Sequence, residues 1–133
     1  MNLLQPIIRF VTTREAELVE PWEIQTRAGL LRVLPGARTD GASIPRIVDG
    51  LEGYHHFEGD TMPAVMAHDQ LYAGELCDRK IADLVLYDLL IANGVSRFRA
   101  GVYLNAVSVG GERTWKFHTP ETIIETRRFA SLS

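Results

Sequence analysis

Cysteine is almost missing from this chain: Cys77 stands alone among 133 residues. A lone thiol excludes an intramolecular disulfide, and a chain of this length can bury a core without covalent staples. A reducing compartment is the simple reading, and a cysteine-poor virion protein carries the same signature. Excess positive charge is missing too. The formal net charge of -3 speaks against a general nucleic-acid-binding surface. Apolar runs stay too short to span a bilayer, the N-terminus shows no signal-peptide pattern, and there are no repeats or low-complexity segments. What is present is a globular composition: 46% hydrophobic and 23% charged residues lie outside the disordered range. The length predicts one domain over 1–133, with β and loop structure in 1–48, helices in 60–111 and a C-terminal extension in 112–133.

The first third carries strand signals. Glu17 to Gln25 alternates apolar and polar residues in part, and Pro21 pushes it toward a sheet edge. Leu30–Leu34 is a second short strand, Thr26–Gly29 a plausible hairpin turn between them, and Ile7–Val11 a third strand. Pro35-Gly36 ends the region. Thr39-Asp40-Gly41-Ala42-Ser43-Ile44-Pro45 follows, with Asp40 and Ser43 suited to bonding nearby backbone N–H groups. Asp49 to Asp60 reads as a loop.

Helical signals begin with Asp60-Thr61 as a cap and Pro63 in the first turn. The first helix should run from Met62 to Tyr72. Asp78 should cap a second, ending at Asn93-Gly94, with Ile81, Leu84, Val85 and Leu89 on its apolar face. Ser96 should cap a third from Arg97 to Val109, with Val102, Ala106 and Val109 inward. Thr122–Thr126 reads as a strand or extended arm. The predicted class is α+β: a small N-terminal antiparallel sheet packed against three helices, two of them forming an antiparallel hairpin.

The chemistry-bearing residues cluster on that hairpin. His68 and Tyr72 are four apart and share a helix face, while Asp69 points roughly a quarter-turn away. Asp83 lies as far beyond the interruption at Gly74–Cys77 as His68 lies before it, so the two should meet. A histidine oriented by a carboxylate is a general base; it is equally a buried histidine satisfied across a helix pair. Tyr72 is a third member whose hydroxyl should reach Asp83. Asp69 is a candidate metal ligand, or else an ion-pair partner of Arg79 or Arg46. Arg79 opens a helix, where the dipole disfavours a cation, and Asp83 one turn on is its nearest partner. His55-His56 with Glu58 and Asp60 reads as a solvated loop. Trp115, Phe117 and Phe129 read as packing anchors.

Two resemblances rest on these motifs. Thr39-Asp40-Gly41-Ala42-Ser43-Ile44-Pro45, then His68-Asp69-x-x-Tyr72, then Arg79-x-x-Ala82-Asp83 resembles a family of phages and prophages known as domain of unknown function 1353. That resemblance covers about Leu30 to Trp115, and Asn93-Gly94-Val95 and Tyr103-x-x-Ala106-Val107 fit it. It implies a virion- or tail-associated phage component, located in the virion or the host cytoplasm, with other phage proteins as partners. His68-Asp69-x-x-Tyr72 with Ala82-Asp83 is also similar to the active-site helices of phospholipases A2. That similarity implies an ester or lipid hydrolase with His68 as base, Asp83 and Tyr72 supporting it, and calcium at Asp69 acting as a Lewis acid. The framework disulfides of the secreted phospholipases are absent. A glycine-containing stretch at Asp49–Gly59 stands where their calcium loop would be.

Overall fold

The computed structural model describes residues 5–12, 15–40 and 59–133. Five strands precede the helices: β1 (Ile8–Phe10), β2 (Ala16–Leu18), β3 (Trp22–Thr26), β4 (Gly29–Val33) and β5 (Arg38–Thr39). Then come α1 (Met62–Ala73), α2 (Arg79–Ala92), α3 (Arg97–Lys116), α4 (Pro120–Arg127) and the strand β6 (Ala130–Leu132). Among the described residues the strands make two antiparallel three-stranded sheets, ordered β1-β2-β5 and β3-β4-β6. The class is α+β, with an N-terminal antiparallel sheet region and a helical region after it.

The single strand expected from Glu17 to Gln25 is two strands in two sheets. Pro21 has no N–H to donate, and the chain leaves one sheet at Leu18 and enters the other at Trp22. Within β3 the alternation is realised: Trp22 and Ile24 are buried, Glu23 and Gln25 exposed. Their partners Val33 and Leu31 are buried too, so one face of this sheet belongs to the core. The Thr26–Gly29 turn forms as read, with the Thr26 hydroxyl donating to the Gly29 carbonyl at 2.8 Å. Gly29 sits at φ +135, and a Cβ there would lie 2.7 Å from the Ser133 carbonyl oxygen beside β6. Glycine therefore lets the last strand lie against β4.

Four helices stand where three were expected, among the described residues. Thr122–Thr126, read as a strand or arm, lies in α4. Thr119 and Thr122 form a reciprocal capping box, with Pro120 in the first turn, and that local signal starts a helix. α3 runs past Val109 to Lys116, and Val109 is exposed, not inward. Phe117 is exposed as well, whereas Trp115 and Phe129 pack against the core. Ser96 caps α3 by accepting from the Arg99 N–H at 3.2 Å, but Thr61 and Asp78 cap α1 and α2 without a side-chain hydrogen bond.

α1 is the centre of the packing. Every residue from Met62 to Tyr72 is buried, and the helix contacts α2, α4 and β5. α2 buries Ala82, Asp83, Val85, Leu86, Leu89 and Leu90, a stripe at helical spacing rotated from the expected one. Leu84 is only half-buried because its edge of α2 borders the groove toward α3, and Ile81 is half-buried too. The rotation predicts a contrast. Leu86→Ala should cost about 2–5 kcal/mol of stability as a cavity in the core, while Leu84→Ala should cost less than half as much, both read by urea unfolding. Equal costs would place the α2 face wrongly.

Candidate functional site

A helix buried on all sides has no solvent to satisfy its polar side chains, so each must find an internal partner. On α1 those side chains are His68, Asp69 and Gln70, three in a row pointing in three directions. His68 is fully buried and Asp83 is 2% exposed. The two expected to meet do meet: His68 Nε2–H donates to Asp83 Oδ1 at 2.9 Å. The other Asp83 oxygen lies 3.8 Å from the Arg79 guanidinium one turn back on α2. Arg79 also donates to the Ser108 carbonyl at 3.3 Å. The cation at the start of α2 thus faces the partner the sequence assigned to it.

Asp69 meets neither Arg79 nor, within the described residues, any arginine that an ion pair would need. Its Oδ2 accepts a short hydrogen bond from the Thr39 hydroxyl, while Arg46 lies outside the described residues. Gln70 donates to the Arg38 carbonyl at 2.9 Å. Asp69 and Gln70 therefore bind α1 to β5, at the start of the Thr39–Pro45 motif. The remainder of that motif, the Asp49–Asp60 loop up to 58, and His55 and His56 lie outside the described residues.

Tyr72 does not bond Asp83. Its ring stacks on His68 at 5.0 Å and 28°, and its hydroxyl donates a short hydrogen bond to the Gly111 carbonyl. A Cβ on Gly111 would lie 2.6 Å from that oxygen, so glycine is what lets α3 approach Tyr72. Burial, and then the negative charge of Asp83, push the Tyr72 phenol up to about 12. Burial likewise raises the Cys77 thiol, keeping it protonated and a poor nucleophile.

The far side of Tyr72 opens on a cavity of about 260 Å³. Asp69, Thr39, Asp40, Arg38 and Glu15 line it with Tyr72, Ala73, Thr114 and His118. Arg38 is engaged by Glu15 at 2.6 Å. His118 packs edge-on to Tyr72 at 5.7 Å and tilts against Trp115 at 5.3 Å. Its Nδ1–H donates to Glu75 Oε2 at 3.2 Å. Sequence reading missed His118 and Glu75 because 43 residues separate them. The legible signals were Thr119-Pro120 opening a helix beside His118 and the Gly110-Gly111 pair inside a helical stretch.

Among the described residues, no three metal-ligating side chains of histidine, cysteine, aspartate or glutamate converge. The Asp49–Gly59 stretch expected to stand where a calcium loop would be lies, up to residue 58, outside the described residues. No helix of the described residues is long and apolar enough to cross a membrane.

A family model described as protein of unknown function (DUF1353) matches residues 16–107, more than half of the chain. No curated protein and no solved structure matches.

The Tyr72 phenol gives a pH test. Its pKa is raised on folding from the ordinary 10.0 to about 12, so the folded protein binds the proton more tightly. The resulting stability is fully present below pH 10 and is lost as pH rises through 12. Chemical unfolding of wild type should show this alkaline loss, and Tyr72→Phe should lack that component. Identical alkaline slopes in the two proteins would refute the assignment.

Proposed function

The chain belongs to the DUF1353 family, and from that premise we propose that it is a bacteriophage or prophage protein, a component associated with the virion or tail. In this reading His68, Asp83 and Tyr72 form a buried polar network that holds the helices together. The antiparallel arrangement of α1 and α2 as a hairpin belongs to the same reading: a five-residue connection, 74–78, joins them, and the His68–Asp83 hydrogen bond spans them. The observation that carries it is the burial of His68, whose side chain has 0% exposure. A general base needs reach to its substrate or water; a structural histidine needs only its partner. Other phage proteins would be the partners, and the virion or host cytoplasm the location.

The second reading is a small calcium-dependent ester or lipid hydrolase, with His68 as base, Asp83 and Tyr72 supporting it and Asp69 holding calcium. It is favoured by the 2.9 Å His68–Asp83 geometry and by Asp69 lining the cavity. When bound, calcium would polarise the ester carbonyl. Asp69 would hold the ion, His68 would take the proton from water, and Asp83 would keep the imidazole oriented.

One set of measurements separates the two. Mass spectrometry of purified particles of the encoding phage should find this chain. Wild type and His68→Gln should hydrolyse phospholipid equally slowly with and without calcium, and Asp83→Ala should lower stability by about 1–3 kcal/mol. Calcium-dependent phospholipid hydrolysis lost in a folded His68→Gln, with calorimetric calcium binding lost in Asp69→Asn, would establish the hydrolase instead. Absence from the particles would remove the virion assignment.

A further inference from the structure

Of the two histidines within the described residues, His68 is sealed and His118 is not. The His118 side chain keeps 11% exposure and lines the cavity beside α1. It stands in the junction between α3 and α4, fixed on two sides by the Tyr72 and Trp115 rings. With Nδ1–H given to Glu75, Nε2 carries the lone pair, and among the described residues that nitrogen makes no hydrogen bond. This is the tautomer a general base requires.

Glu75 has an unusual backbone. It ends α1 at φ 45, a left-handed position usually filled by glycine. Gly74 stands one residue too early to take it. Arg127 on α4 holds this turn, donating to the Gly74 carbonyl at 2.7 Å and to the Glu75 carbonyl at 3.2 Å. A glutamate kept at a glycine position, clamped, with its carboxylate on a histidine that faces a cavity, is local strain of the kind that collects at functional sites.

We infer that this cavity is a hydrolytic site in which His118 is the general base and Glu75 positions it, acting on small esters. The assignment goes beyond the phage reading and is independent of the buried His68 network. The volume admits a small acyl group rather than a long lipid chain. In the reaction, His118 Nε2 takes a proton from water as the water oxygen bonds to the carbonyl carbon. The bond to the alcohol oxygen then breaks, its electron pair stays on the leaving oxygen, and the imidazolium returns the proton there. Ester and water become carboxylic acid and alcohol.

Hydrolysis of p-nitrophenyl acetate tests this: wild type should hydrolyse it with saturation. His118→Gln should lower kcat by about 10²-fold or more. Glu75→Gln should lower kcat with KM unchanged. Glu75→Gly relieves the backbone and keeps the fold, yet should lose rate as Glu75→Gln does, a loss that a merely structural pair would not show. No saturable hydrolysis by wild type, or full rate in folded His118→Gln or in Glu75→Gly, overturns the assignment. Failure of the His68–Asp83 reading would appear in the unfolding of Asp83 variants and leave these rates unmoved.

Discussion

Helix α1 is buried from Met62 to Tyr72, so the polar atoms it carries have to be matched inside the protein or the helix cannot stay where it is. That constraint organises the rest. An unmatched buried polar group costs about 1–3 kcal/mol, a large share of the stability of a domain this size. His68 is matched by Asp83 on α2, Asp69 by Thr39 on β5, Gln70 by the Arg38 carbonyl, and Tyr72 by the Gly111 carbonyl on α3. These four demands tie α1 to two helices and one strand. Apolar burial supplies the drive for collapse, but it is not directional. These bonds set how the helices and the strand meet α1.

The same matching links the interior to the surface cavity. Asp83 holds His68, His68 stacks on Tyr72, and Tyr72 meets Trp115 and His118 edge-on, with Glu75 at the end. One side of this series is sealed and the other borders open volume. The buried network reaches the cavity wall through Asp69 and Tyr72, and His118 packs edge-on to Tyr72 there.

Much of this was legible because its signals are local or periodic. Alternation in Trp22–Thr26, the Thr26–Gly29 turn, Pro63 and Ser96 each specify their own neighbourhood. The equal offsets of His68 and Asp83 about the Gly74–Cys77 interruption were enough to pair them across two helices. What escaped depended on distant parts of the chain. The Tyr72 hydroxyl has a nearer acceptor in Gly111, 39 residues away, where the absence of a side chain is the whole signal. The Asp69 bond to Thr39 was not foreseen, since Thr39 is brought to α1 by sheet pairing that no short window contains. The α2 stripe was half right: Val85 and Leu89 are buried as read, but Ile81 and Leu84 gave way to Ala82, Leu86 and Leu90, because Asp83, a polar residue, belongs to the buried face. The last two turns of α3, after Val109, were missed, and α4 was lost to the β-branched run Thr122–Thr126, where the Thr119–Thr122 cap outweighs strand propensity.

The central claim is that the His68–Asp83 bond couples α1 to α2. A double-mutant cycle over His68→Ala, Asp83→Ala and the pair, read by urea unfolding, measures that coupling directly. The account predicts an interaction energy of about 1–3 kcal/mol. Single-mutant costs that add to the double-mutant cost within about 0.5 kcal/mol would contradict it.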